Sequence, residues 1–144
     1  MCMLNSSGNA KMELNDNVSV QKLLKEVKAF IHNINEREKW FFFYEGELYL
    51  KKTKRKLIIN QKMVKEVVLE ISHISIHNQN KGVGTYIVRA IHNMNTRYNY
   101  TVADRVINLA MQAWVTKHKW ILIESSLKEG VPIADYYLST QIKM

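Results

Sequence analysis

The sequence predicts a single domain of α/β (α+β) type, in which helices flank a central sheet. Three observations carry that prediction. Apolar residues recur at helical spacing from Val20 to Ile34. A β-branched run, Val67–Ile76, passes through a short glycine-containing loop into a second helical stripe. One further strand–helix–strand change of period, from Tyr100–Ile107 to Trp120–Ile123, comes before a last strand. With 144 residues, 47% of them hydrophobic and 24% charged, the chain is long enough to bury a core and is not of disordered composition.

Taken in order, residues 1–11 read as a flexible lead-in and residues 12–144 as the domain, with Met12-Glu13-Leu14 as a short first strand. Val20, Leu23, Leu24, Val27, Phe30, Ile31 and Ile34 form one face of a helix. Asp16, Asn17 or Ser19 caps it, and Lys22, Lys25 and Lys28 lie on its polar side. The aromatic run Lys39–Tyr44 reads either as a strand, turning at Glu45-Gly46 into a strand over Glu47–Lys52, or as the end of a second helix. The segment Lys51–Lys56 holds Lys51, Lys52, Lys54, Arg55 and Lys56. It is expected either as a solvated hairpin loop or as an edge that contacts phosphate, before a short strand Leu57–Ile59.

On the strand Val67–Ile76, Val68, Glu70, Ser72, Ile74 and Ile76 are expected on one face. After the loop, Val83, Ile87, Val88, Ile91 and Met94 form a helical stripe that Thr96–Asn99 closes. Tyr100–Ile107 reads as a strand interrupted by Asp104-Arg105. Asn108 then caps a short helix with Leu109, Ala110, Ala113 and Trp114 facing inward. Trp120–Ile123 and Ala134–Ser139 are the last strands, joined by a loop from Ser125 to Pro132.

The net charge of +8 points to polyanionic partners: nucleic acid, an acidic protein, or a ligand with several phosphates. The single cysteine, Cys2, excludes a disulfide framework and suits a reducing cytoplasm. The first residues hold no apolar run of signal-peptide length, and no stretch of about 18 apolar residues suggests a membrane span. His73, His77, His92 and His118 lack metal-ligand spacing and are expected as core or surface residues, so no metal is predicted. No P-loop spacing exists, and Ile87 stands where a dinucleotide fingerprint needs its third glycine.

The stretch Glu66–Asn95 is built as an anion cradle. Backbone N–H groups at a helix start are unsatisfied and the helix dipole favours negative charge there. Gly82 and Gly84 let a ligand approach that backbone without a Cβ in the way.

Gln79-Asn80-Lys81-Gly82-Val83-Gly84, between strand and helix, resembles the Gln/Arg-x-x-Gly-x-Gly/Ala signature of the GNAT superfamily of N-acetyltransferases. Asn108 and the segment Trp114–Trp120 also fall where that family places an asparagine and a Leu-Tyr-x-x-x-Gly-Phe pattern. The resemblance implies a mixed, mostly antiparallel sheet splayed between the family's fourth and fifth strands. It implies acetyl-CoA as acyl donor, with its pyrophosphate on the N–H groups of Lys81, Gly82, Val83, Gly84 and Thr85 and with Gln79 and Asn80 in the loop. The pantetheine arm would pair with the backbone of Ile74 and Ile76 and meet Asn108 from across the gap. Glu70 would be the catalytic base, or else pair with a cation at the sheet surface.

The resemblance also has a departure. The family's general-acid tyrosine aligns with Val115, its glycine with Lys119 and its phenylalanine with Trp120. Another hydroxyl (Thr116, Ser75 or Tyr100) then serves, or the thiolate leaves unaided, or the chain binds CoA without efficient turnover. The expected activity is acetyl transfer to an amine acceptor, which the basic segment could draw from acidic or nucleic-acid-associated targets. The alternative is a catalytically weak module that binds CoA, a protein or nucleic acid.

Overall fold

The apolar positions counted from Val20 bury one face of helix α1 (Val18–His32), with Val20, Leu23, Val27, Phe30 and Ile31 inside and Lys22, Lys25 and Lys28 in solvent. Of the three expected caps, Asn17 serves: its Oδ1 accepts the Val20 N–H at 3.0 Å. The computed structural model describes residues 17–77, 82–106, 109–124, 127 and 134–144. The expected first strand at Met12–Leu14 and most of the loop from Ser125 to Pro132 lie outside these.

Strand β1 (Glu38–Phe43) resolves the ambiguous aromatic run as a strand. The turn into β2 (Gly46–Ile59) is Tyr44–Glu45, one residue earlier than expected, and Gly46 already belongs to the ladder opposite Phe43 and Ile76. A Cβ on Gly46 would lie 1.9 Å from the Ser75 carbonyl oxygen, so the close approach of β2 to β3 selects glycine.

The basic segment is not a loop. It lies inside β2, which is continuous for 14 residues and pairs along its whole length with β3 (Lys62–Ile76). The pleat sends successive cations to opposite faces, and two of them, Lys52 and Arg55, acquire hydrogen-bonded partners. Lys52 is buried, with Nζ donating to the carbonyls of Phe30 and Asn33 at 2.6 Å each. It thus answers the unsatisfied carbonyl end of α1, while burial lowers its pKa. Arg55 turns the other way, toward the carboxylates of Glu70 and Asp135. Asn60 and Gln61 close the β2–β3 hairpin with φ of 51° and 68°, the two left-handed residues of a type I′ turn.

One irregularity interrupts this ladder. Tyr49 faces His73 but Leu50 faces Ile71, which leaves Ser72 as an extra residue on β3. The bulge reverses the facing of the residues after it, so the expectation that Glu70 and Ile74 share a face is corrected. Ile74 and Ile76 pack with Leu69 and Ile71 in the large core, whereas Glu70 points to the opposite face.

Helix α2 (Val83–Met94) leads into β4 (Tyr100–Val106), then helix α3 (Leu109–Lys117), β5 (Ile121–Ile123) and β6 (Ala134–Ser139). The sheet order is β1-β2-β3-β4-β6-β5, with β3 and β4 parallel and the other neighbours antiparallel. The molecule is therefore an α+β fold with a six-stranded mixed sheet. The large core joins α1, α2 and Val115 of α3 to one face of the sheet. A smaller cluster of Leu57, Val68, Val102, Ile123 and Tyr137 occupies the other face, where the β2–β3 hairpin crosses β4 and β6. Among the described residues, no helix is long and apolar enough to cross a membrane.

Helix α3 faces otherwise than expected. Ala110 and Ala113 are exposed and Trp114 half-buried, while Val115 is fully buried. Its end explains the phase. Trp120 N–H bonds the Val115 carbonyl at 2.9 Å and Lys119 N–H the Thr116 carbonyl at 3.1 Å, a Schellman closure with Lys119 at φ 66°. That closure swings Trp120 into the core against His92, ring centroids 5.6 Å apart.

Two stability changes are expected. Gly46→Ala forces β2 from β3 and lowers unfolding free energy in urea by about 1–3 kcal/mol, as overpacking does; an unchanged midpoint would contradict the close approach. Lys119→Gly relieves a left-handed side-chain residue and raises stability by about 1 kcal/mol, read as a higher melting temperature.

Candidate functional site

The rungs between the parallel strands β3 and β4 are Leu69↔Thr101, Glu70↔Val102 and Ile71↔Ala103. Beyond them β3 runs on to Ile76 and β4 to Val106. On its other edge, His77 N–H donates to the Glu45 carbonyl at 2.7 Å. Because N–H groups alternate edges along an extended strand, Ser75 shares that side, and the Ile74 and Ile76 amides turn toward the side where β4 lies.

Next to this strand end, Gly82 opens α2 at φ 88° with no capping side chain. A Cβ on Gly82 would meet nothing within 4 Å, whereas one on Gly84 would touch Ile76 at 3.5 Å. Val83 is buried, and Thr85 Oγ1 turns back to the Gly82 carbonyl at 3.2 Å. Among the described residues, the Cβ side of Gly82 is therefore open, and the helix start is seated on β3 through Gly84. Gln79, Asn80, Lys81 and Asn108 lie outside the described residues.

Across the sheet, Arg55 gathers the carboxylates. Its Nη1 contacts Glu70 Oε1 at 2.5 Å and its Nη2 contacts Asp135 Oδ2 at 2.7 Å. Glu70 also accepts from Thr53 Oγ1 at 3.2 Å and is buried. Cation pairing, one of the two expectations for Glu70, is thus its state in the fold. Asp135 Oδ1 accepts the Arg105 N–H at 2.7 Å. Burial raises the pKa of Asp135, but hydrogen bonds from Asp104, the Arg105 amide and Arg55 outweigh it and hold the group below its ordinary value.

Asp104 is the residue sequence reasoning passed over. Asp104 and Arg105 together oppose Asp135, in an irregularity between the rungs Ala103↔Tyr136 and Val106↔Ala134, with Arg105 at φ 48°. The Asp104 carboxyl is half-buried near Asp135 and Glu70, 3.7 Å from Arg105 Nε, and burial first, then its hydrogen bond and repulsion with Asp135, push its pKa up to about 7. Two charged residues interrupting an apolar strand were the available signal. Ser72 and Asp104 each come just after the last rung between β3 and β4, and the Ser72 hydroxyl is buried with no hydrogen-bond partner among the described residues.

The hydroxyls considered in place of a tyrosine at position 115 are dispersed. Thr116 Oγ1 bonds the Gln112 carbonyl at 2.8 Å, Ser75 sits opposite Glu47, and Tyr100 stacks edge-on with Tyr137 where β4 begins. The histidines play separate parts. His92 is buried between Thr101 Oγ1 at 2.9 Å and the Ile142 carbonyl at 2.6 Å, His73 meets Glu47, and His118 meets Trp114. Among the described residues, no three His, Cys, Asp or Glu side chains converge to hold a metal.

No family model matches the chain, and no curated protein sequence matches it.

The shared proton gives a pH signature. A carboxyl whose folded pKa is about 7 rather than 3.8 favours the fold while protonated, and loses that contribution as pH rises through 7. The melting temperature of Asp104→Asn minus that of the wild type should therefore grow from pH 5 to pH 8 and then level. A difference independent of pH would show that Asp104 titrates normally.

Proposed function

We propose that the chain is an acyl-CoA-dependent N-acyltransferase of GNAT type, transferring an acetyl group from acetyl-CoA directly to an amine. The observation that carries the reading is the end of the β3–β4 ladder at Ile71 and Ala103, after which β3 runs on alone to Ile76, where the uncapped start of α2 is seated through Gly84. The splayed sheet of that family would open at this place. Lys119 adds support, since it takes a left-handed φ at the position where the resemblance expects glycine.

The residues present suit such a ligand. Open space above Gly82 admits a pyrophosphate onto the amides of Gly82, Val83, Gly84 and Thr85, where the helix dipole favours it. The Ile74 and Ile76 amides offer an edge for the pantetheine arm. Gln79, Asn80, Lys81 and Asn108 complete the proposed set. When bound, the ligand supplies an activated acetyl thioester.

Proton transfer falls to the Arg55 cluster. Glu70, the base expected from the sequence, would have to surrender part of its ion pair with Arg55 to take a proton. Asp104 exchanges a proton near neutral pH and is better matched to the work. It would also supply what Val115, buried in the core, has no atom to give. That valine is the one observation favouring the second reading, a module that binds CoA with little turnover.

Calorimetry with acetyl-CoA tests the reading. The wild type should bind, Gly82→Glu should abolish binding by setting a carboxylate against the pyrophosphate, and Asp104→Asn should leave affinity within about twofold. Absence of binding at millimolar ligand would overturn the proposal. Release of CoA on addition of amines and basic peptides separates enzyme from module, and Glu70→Gln beside Asp104→Asn assigns the proton carrier.

A further inference from the structure

Between the second half of α2, the end of α3 and the C-terminal segment lies a surface hollow of about 220 Å³. Its charged walls are Arg89, Lys117, His118, Lys119 and Lys143, and no Asp or Glu side chain lines it. None of the five forms an ion pair among the described residues. Arg89 Nε is buried without a hydrogen-bond partner among the described residues, so the arginine that lines the hollow is not held by a protein acceptor through that atom.

The end of α3 could account for cations nearby, because the helix dipole favours them. Its last carbonyls are already engaged, however: Trp114, Val115 and Thr116 accept the amides of His118, Trp120 and Lys119. Lys119 moreover occupies a left-handed position that glycine would fill at lower cost, and it brings an ammonium to the hollow. Arg89 supplies a planar fork suited to phosphate oxygens, and the lysines supply mobile charge. Seven residues of helix from Gly82, about 10 Å, separate Arg89 from the open start of α2.

We propose that this hollow is a binding site for a small phosphate-bearing anion, separate from the helix start at Gly82. Arg89 and Lys119 hold the phosphate oxygens, with Lys117 and Lys143 beside them. His118 is the titratable member. Burial, then Arg89 and Lys117, lowers its pKa, and a bound dianion reverses the electrostatic part of that shift. The groups that line the hollow with His118 are Arg89 on α2, Lys117 and Lys119 at the end of α3, Lys143, and Met144 with its α-carboxylate.

Calorimetry with inorganic phosphate and with pyrophosphate at low ionic strength tests the site, alongside the histidine ring signals by NMR. The wild type is expected to bind an anion at this hollow, with the His118 resonances moving. Lys119→Gly and Arg89→Gln should each weaken binding about tenfold or more, as loss of a charge-assisted contact does. Lys119→Gly decides the case where Arg89→Gln unfolds, since it should raise the melting temperature while weakening the anion. Lys22→Gln, the same charge change on an exposed face of α1, and Gly82→Glu should both leave affinity unchanged. The proposal is overturned if millimolar anion does not bind, if Lys119→Gly binds as the wild type does, if Lys22→Gln weakens binding equally, or if Gly82→Glu alone abolishes it.

Discussion

A single extra residue in β3 governs the arrangement of this sheet. Ser72 has no rung of its own opposite β2, so the strand changes phase between Ile71 and His73. Before the bulge, Leu69 and Ile71 face the helices and Glu70 faces away; after it, Ile74 and Ile76 take the helix side. Without that shift, Ile74 and Ile76 would turn from α2, and Gly84 would lose the Ile76 side chain on which it sits. The same place marks the last rung to β4. The bulge and the end of parallel pairing thus fall together at Ile71 and Ser72, and the seat of α2 at Ile76 depends on the phase they set.

On the opposite face the corresponding element is Arg55. Three carboxyls lie around one guanidinium, and such a group is costly to bury unless each charge is answered. Asp135 is answered by Arg55 and the Arg105 amide, and Glu70 by Arg55 and Thr53. Asp104 has only the exposed Arg105 guanidinium, 3.7 Å away, as its cation, and burial first, then its hydrogen bond and repulsion with Asp135, push its pKa up to about 7. The second irregularity, at Asp104 and Arg105, sets this carboxyl just past the last rung. Strain and a displaced pKa therefore meet where the two parallel strands stop pairing, a combination that functional sites share.

How much of this the sequence disclosed depended on whether a local pattern was enough. Helix α1 was legible from its 3.6-residue period and Asn17 cap, and the entry into α2 from Gly82. The long hairpin was not. Lys51–Lys56 reads as a solvated loop until Lys52 is seen capping the carbonyl end of α1, and Arg55 answering carboxylates 15 and 80 residues away. The bulge was hidden because a period-2 reading has no means of registering one extra residue. Ala110 and Ala113 were given the inward face of α3 on apolarity alone, but the closure at Lys119 and Trp120 sets the phase and buries Val115 instead. Asp104 was visible only as an interruption, since its proton depends on β6.

The central proposal is that β3 beyond Ser72 offers its β4-facing edge to an acyl-CoA beside the start of α2. Amide hydrogen exchange at single residues tests it most directly, with and without acetyl-CoA. The account predicts that the Ile74 and Ile76 amides exchange rapidly alone and become protected with the ligand, while the Ser75 and His77 amides, bonded toward β2, are protected in both. Unchanged exchange at Ile74 and Ile76 under saturating acetyl-CoA would contradict it.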